Sequence, residues 1–269
     1  MNKNSFKENV VIITGATAGI GKELALQLST QGALLSLAAR DESKLKDVAE
    51  VCRANGAKVL IVPTDVSEKS QCKNLIERTV SEFGRIDTII NNAGISMWAR
   101  FDEIEDLSIL EKIMQINYLG SAYPTYFALP YLKKSKGRIV GVSSLTGKTG
   151  VPTRTGYSAS KHAMAGFFDS LRIELMNSGV TVTMIYPGFV ATEVRERAFG
   201  ADGKPLGKSH IDEKNIMTAS ECARQIIEAS GKRKRELVMT AKAKIGLWMK
   251  MINPELVDRT SLKMISKGK

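Results

Sequence analysis

NVVIITGATAGIGKELALQLSTQG, Asn9 to Gly32, decides the fold. Its first six residues, Asn9 to Thr14, are mostly apolar and β-branched and lack the polar alternation of a half-exposed strand, so they read as a strand covered on both faces. Thr14 to Gly21, TGATAGIG, is a glycine-rich turn. Leu24, Ala25 and Leu28 then recur at helical spacing until Gly32 closes the helix. Gly15, Gly19 and Gly21 depart from the G-x-G-x-x-G spacing but meet the same mechanical need. They let backbone approach an anionic group at a helix N-terminus, where the dipole favours negative charge.

The same alternation continues outward from this unit. Strands are expected at Ala33 to Ala39, Lys58 to Val62, Ile86 to Ile90, Arg138 to Val142, Thr181 to Tyr186 and Leu237 to Thr240. Helices are expected at about Glu42 to Ala54, Lys69 to Phe83, Leu107 to Lys133, from around Tyr157 to Asn177, and Ala219 to Ala229. Strands separated by helices at this spacing call for one parallel sheet with helices on both faces, an α/β fold. No internal repeat or break in composition interrupts residues 1–240, so they form a single domain, followed by an extension over 241–269.

Net charge is +11, and its position matters more than its size. From Lys232 to Lys269 there are eleven basic residues against three acidic ones, which places most of the excess in the tail. No recognition motif accompanies the charge, so nucleic acid is not expected as a partner. Cys52, Cys72 and Cys222 are odd in number and widely spaced, with only His162 and His210 as other soft ligands. They read as free thiols, and neither a disulfide frame nor a metal site is expected. The opening MNKNSFKENV lacks the apolar core of a signal peptide, so a cytoplasmic protein is expected.

A second stretch carries chemistry: Ser143 to Lys161, SSLTGKTGVPTRTGYSASK. Tyr157 and Lys161 are four apart and share one helix face. A cation fixed beside a phenol favours the phenolate and draws its pKa from about 10 toward neutrality, where it can exchange protons. Taken alone, a tyrosine and a lysine at this spacing also fit an ordinary exposed helix.

Taken together, TGATAGIG, the NNAG of Asn91 to Gly94, Asn117, Ser144, Tyr157 with Lys161, and the PGFVAT of Pro187 to Thr192 resemble the short-chain dehydrogenase/reductase family in its classical subgroup. The motifs occur in order over about Asn9 to Thr192. The resemblance implies a Rossmann-type doubly wound sheet and an oxidoreductase that interconverts a carbonyl and an alcohol. It implies that Tyr157 is the general acid/base, that Ser144 stabilises charge on the substrate oxygen, and that Lys161 lowers the Tyr157 pKa and holds the nicotinamide ribose. Asn117 would position a water for proton relay. Cofactor contacts are implied for Gly15, Thr17, Ala18, Gly19, Ile20 and Gly21, for Asp65 and Val66 near adenine, for Asn91, Ala93 and Gly94 along the ribose, and for Pro187, Gly188, Val190 and Thr192 at the nicotinamide. An NAD enzyme of this family would carry an acid where Ala39 stands. Here Arg40 follows Ala39 instead, which suits the 2′-phosphate of NADP(H), and Asp41 reads as a helix N-cap. Ala18, where sugar epimerases of the family carry glycine, disfavours that branch.

Met97, Trp98, Val151 and Phe189 are the candidate substrate contacts, and their apolar character favours a lipophilic carbonyl or alcohol: steroid-like, retinoid-like or a long-chain keto compound. Arg154 reads as meeting an anionic group or as facing water. A mobile lid is expected around 193–217. In the tail, Ile245, Trp248, Met249, Ile252 and Leu256 form a stripe at helical spacing among lysines. It reads as an amphipathic helix that packs on its own domain or a partner subunit, or that touches an anionic membrane surface. With LVDR at Leu256 to Arg259 it is similar to the C-terminal helices of the hydroxysteroid-dehydrogenase-like branch, where they serve dimerisation and membrane docking. A homodimer or homotetramer through the Leu107 and Tyr157 helices is the family's habit. The competing classes are a catalytically silent NADP(H)-binding sensor or scaffold and a membrane-surface interaction protein.

Overall fold

The computed structural model describes residues 5–194, 196–207 and 216–266. Seven strands form one parallel sheet in the order β3-β2-β1-β4-β5-β6-β9. They are β1 (Val10–Thr14), β2 (Leu34–Ala39), β3 (Val59–Pro63), β4 (Thr88–Asn91), β5 (Arg138–Val142), β6 (Thr181–Tyr186) and β9 (Glu236–Val238). A two-stranded ribbon, β7 (Val190–Ala191) and β8 (Met217–Thr218), stands beside them. All five residues of β1 are buried. Val11 and Ile13 pack into one core cluster and Ile12 into the other, because successive side chains leave a strand on opposite faces.

Helices cover both faces. The cluster of Val11 and Ile13 also takes side chains from α1 (Gly19–Ser29), α2 (Glu42–Ala54) and α7 (Ala219–Gly231). The cluster of Ile12 takes them from α3 (Lys69–Phe83), α5 (Gly120–Ser135) and α6 (Thr155–Glu174). Each fully buried leucine or isoleucine contributes about 1.5–3 kcal/mol against chain entropy, so covering both faces makes such a sheet stable. The strand order reverses direction at β1 and β4, and a crevice opens where those strands end.

The helix expected over Leu107 to Lys133 is not regular. It consists of α4 (Ser108–Met114), a π turn over Gln115–Leu119, and α5. Asn117 lies inside the π turn. The helix of Tyr157 ends at Glu174, short of Asn177.

The tail is two helices rather than one. α8 (Ala241–Ile252) stops at Asn253, and α9 begins with Pro254 (Pro254–Ser266). Proline forces the preceding residue out of the helical region, and Asn253 has left it at φ −140°, ψ 79°. The Asn253 side chain then caps the next helix, accepting from the Leu256 amide at 3.0 Å. The expected stripe is thereby cut, with Leu256 on a separate helix. α8 packs on the domain through Ala243 and Leu247, while Ile245, Trp248 and Ile252 point outward. No helix among the described residues is long and apolar enough to cross a membrane.

Candidate active site

The β1 and β4 ends are clipped together by two side chains. Thr14 Oγ1 accepts from the amides of Asn92 (3.0 Å) and Ala93 (3.1 Å). Asn92 Nδ2 donates back to the Thr14 carbonyl at 2.9 Å and the Gly15 carbonyl at 3.2 Å. The approach is so close that a Cβ on Gly21 would lie 2.1 Å from the Gly15 oxygen, and one on Gly15, whose φ is +67°, would lie 2.9 Å from Ala93 Cα. Gly21 thus packs beneath the turn. The leading amides of α1 have no side-chain cap and no acidic residue in the first turn, so they face the crevice open to an anion.

The crevice has a volume of about 600 Å³. Of the expected cofactor contacts, Gly15, Thr17, Ala18, Gly19, Ile20, Arg40, Asp65, Val66, Ala93, Gly94, Pro187, Gly188, Val190 and Thr192 line it, as do Ser144, Tyr157 and Lys161. Asn91 does not; its amide is buried and donates to Thr125 Oγ1 at 2.9 Å. Ala39 and Arg40 form one end, and Asp41 caps α2 by accepting from the Lys44 amide at 3.1 Å. Lys44 belongs to the same wall. It follows Arg40 by four residues, but as one lysine among several in α2 it carries no signal in sequence. An uncapped helix start and a glycine cradle fit a dinucleotide's pyrophosphate, and Arg40, Lys44 and Asp41, the last two paired at 3.7 Å, line the far end.

At the other end Ser144 sits after β5, its hydroxyl accepts from the Thr146 amide at 3.2 Å, and it shares the cleft wall with Tyr157. Ser143 also lines the cleft, but its hydroxyl is committed, donating to the Lys161 carbonyl at 3.2 Å. Tyr157 stands in the first turn of α6, half-buried. Lys161 is 4% exposed, its Nζ donating to the Val142 carbonyl at 3.0 Å and lying 5.8 Å from the Tyr157 ring centre.

Burial dominates both groups. It pushes the Lys161 ammonium from its ordinary 10.5 down to about 8. It also raises the Tyr157 phenol, with the Arg154 charge and the Ser144 hydroxyl acting in the lowering direction. The expectation that Lys161 draws the phenol toward neutrality therefore does not hold for the protein alone, because desolvation of the phenolate is the larger effect.

Asn117 is fully buried and committed to structure. Its Oδ1 accepts from the Ile95 amide at 2.8 Å, and its Nδ2 donates to the Ile95 carbonyl and to Ser160 Oγ, both at 2.9 Å. It is a brace between the loop following NNAG and α6, outside the cleft wall. A Cβ on Gly94 would meet Asn117 Oδ1 at 3.1 Å and Lys161 Nζ at 3.4 Å, so only glycine leaves these groups their places.

Val151 and Phe189 line the cleft, but Met97 and Trp98 do not. Met97 is fully buried in a small cluster with Ile109 and Ile113, against which Tyr157 packs, and Trp98 lies over Arg154. Arg154 is 6% exposed and lines the cleft, so it does not face water. Of the expected lid, Phe199 is tied to the Ser96 carbonyl (2.9 Å) and the Trp98 amide (2.8 Å), so this part is pinned. Arg195 and residues 208–215 lie outside the described residues. Ser261 of α9 also reaches the cleft wall.

Residues 9–202 match the family model described as short chain dehydrogenase. The chain belongs to the short-chain dehydrogenase/reductase family. It is an oxidoreductase of the kind that interconverts carbonyls and alcohols. It is 37% identical to a "Dehydrogenase/reductase SDR family protein 7-like" of Dictyostelium discoideum over 99% of this chain and 84% of that protein. It is 38% identical to "11-beta-hydroxysteroid dehydrogenase-like 4A" of Arabidopsis thaliana over 95% of this chain and 85% of that one. These similarities place it in the hydroxysteroid-dehydrogenase-like branch. Among solved structures, an alcohol dehydrogenase of Thermococcus sibiricus complexed with 5-hydroxy-NADP aligns with a TM-score of 0.74 at 26% identity, covering 87% of this chain and 96% of that one. A Burkholderia phymatum family member in complex with NAD shares the fold at 0.82 and 24% identity, over 94% and 96%.

Lys161 gives this site a pH signature. Between about pH 8, its folded value, and 10.5, its ordinary value, the unfolded chain binds more protons, so folding stability rises with pH there. Below about pH 8 both states hold the proton and the full cost of burying it is present. Relative to Lys161→Met, the protein should gain on the order of 1–3 kcal/mol across that window in urea unfolding. A difference independent of pH would show that burial does not depress the ammonium.

Proposed function

We propose that the chain is an NADP(H)-dependent oxidoreductase acting on a carbonyl or secondary alcohol attached to a lipophilic body. The observation that carries this is the meeting of Ser144, Tyr157 and Lys161 on a cleft wall that ends, beyond the glycine turn, in Arg40 and Lys44. A scaffold without chemistry has no need of that set.

Reduced nicotinamide, when bound, supplies a hydride to the carbonyl carbon. Tyr157 donates its proton to the carbonyl oxygen, and a phenol kept protonated by burial is suited to be that acid in the reductive direction. The Ser144 hydroxyl donates to the same oxygen as negative charge develops on it. Lys161, held by the Val142 carbonyl, keeps positive charge beneath Tyr157 and favours the phenolate left behind. Asn117 acts as a positioning residue through Ile95 and Ser160. Val151 and Phe189 offer apolar surface to the substrate.

At the other end, Ala39 is neutral where a carboxylate would repel a phosphate, and Arg40 is exposed beside Lys44. These residues support NADP(H) over NAD(H).

The tail supports contact with an anionic membrane surface, and with it a cytoplasmic enzyme held peripherally. Ile245, Trp248, Met251, Ile252, Leu256 and Leu262 are each about half or more exposed, with Lys242, Lys244, Arg259 and Lys263 interleaved. Exposed Tyr126 on α5 and Ile173 on α6 support a homo-oligomer through those helices.

Three measurements test these readings. Tyr157→Phe should lower kcat by about a hundred- to ten-thousandfold while NADPH still quenches or enhances fluorescence on binding; retained turnover would refute its role. Ala39→Asp combined with Arg40→Ser should cut the kcat/KM preference for NADPH over NADH by about ten- to a hundredfold. An unchanged ratio would count against NADP(H). Trp248→Ser with Ile252→Ser should abolish co-sedimentation with anionic vesicles, and a wild-type protein that leaves such vesicles in the supernatant would end the membrane reading.

A further inference from the structure

Directly after Ser144 the chain makes one 3-10 turn, Leu145–Gly147, and two threonines in and beside it carry hydroxyls that the chemistry above does not use. Thr146 and Thr149 both line the cleft, although they are only 7% and 8% exposed. Their backbones are committed. The Thr146 amide donates to Ser144 Oγ at 3.2 Å, and the Thr149 amide to the Leu145 carbonyl at 3.2 Å. Their side chains are not: among the described residues neither Thr146 Oγ1 nor Thr149 Oγ1 has a hydrogen-bond partner, and both oxygens are closed off from solvent.

A buried hydroxyl without a partner is costly, and folded proteins nearly always satisfy it. Two of them, three residues apart in the wall of the reaction cleft, call for an acceptor that arrives with the substrate. The loop that holds them is fixed, since the Leu145 amide donates to the Pro187 carbonyl at 2.8 Å and Lys250 Nζ to the Lys148 carbonyl at 3.2 Å. What can turn is χ1. One step between staggered wells puts a threonine hydroxyl where its methyl stood, so the same side chain can present either group to the cleft. Against a wholly apolar substrate the turn gains nothing, whereas an oxygen acceptor in the cleft relieves the orphaned hydroxyl and adds a hydrogen bond.

We propose that Thr146 and Thr149 form a hydroxyl subsite that selects carbonyl compounds carrying a second oxygen, a hydroxyl or keto group, one or two carbons from the reacting carbonyl. The short spacing follows from Thr146, whose amide is bonded to the Ser144 hydroxyl. This rests on the oxidoreductase reading and narrows it: the substrate has an apolar body that meets Val151 and Phe189 and a second oxygen that accepts from the threonines.

The test follows NADPH oxidation with ketone pairs that differ by a hydroxyl against a methyl: α-hydroxyacetophenone against propiophenone, and β-hydroxypropiophenone against butyrophenone. The pairs report the one-carbon and two-carbon spacings. Thr146→Val combined with Thr149→Val keeps the shape of the wall and removes both hydroxyls. It should lower the kcat/KM ratio of hydroxy ketone to methyl partner by about tenfold in at least one pair, mainly through KM. Thr146→Ser combined with Thr149→Ser should hold that ratio near the wild-type value. If the threonines only shape the loop, the valine variant will change both members of each pair alike and leave the ratios unmoved, which overturns the proposal. Thermal melting without ligand is the second measurement. Removing hydroxyls that have no partner should leave Tm unchanged or raise it, and a fall of several degrees would reveal a partner within the protein and overturn the proposal as well. Failure to reduce any of the four ketones would instead strike the oxidoreductase reading, and this refinement with it.

Discussion

The closeness of β1 to β4 at their carboxyl ends is the constraint on which the rest depends. Two strands in a sheet are spaced by their hydrogen bonds, but here the loops beyond them are also drawn together by Thr14 and Asn92. That contact fixes where α1 begins and aims its unsatisfied amides into the crevice. Only glycine at 15 and 21 permits it, since any side chain would meet backbone rather than a movable group. The same clip sets the direction of NNAG, and so the position of Gly94 against Asn117 and Lys161.

The chemical end is governed by a different balance. Three groups that exchange or carry charge, Tyr157, Lys161 and Arg154, are brought into an environment that disfavours charge. Lys161 and Arg154 each donate to a fixed polar partner, the Val142 carbonyl and Ser96, and Ser144 stands on the same wall as Tyr157. Desolvation moves the phenol up and the ammonium down, bringing the lysine toward the physiological range. Charge in this cleft is therefore set mostly by burial and only secondarily by pairing.

Most of the fold was legible because a strand buried on both faces leaves a mostly apolar run, and β1 shows it. The glycine turn followed from its place between a buried strand and a helix, while Ser144, Tyr157 and Lys161 were named by the family resemblance, and the fold brings all three to one cleft wall. What escaped the sequence depends on contacts between distant segments. Met97 and Trp98 look like cleft residues by their place after NNAG, but the strand-like bond to Phe199 turns them away. Arg154 looks like any loop arginine until Ser96, 58 residues earlier, is seen against it. The tail stripe ignored Pro254, whose effect on Asn253 is local and could have been read.

The π turn at Gln115–Leu119 makes the long helix a device of phase. One additional residue within a helix advances everything beyond it by about 100°, since a turn holds 3.6 residues. α4 and α5 are thereby set at angles that one regular helix could not supply together: Ile109 and Ile113 against Met97, Thr125 against Asn91, and Asn117 inward between them. A chain shortened by one residue here would gain regular hydrogen bonds and lose its alignment. Irregularity at this point is a vernier, converting a small expense in helix geometry into the angular setting of the active site.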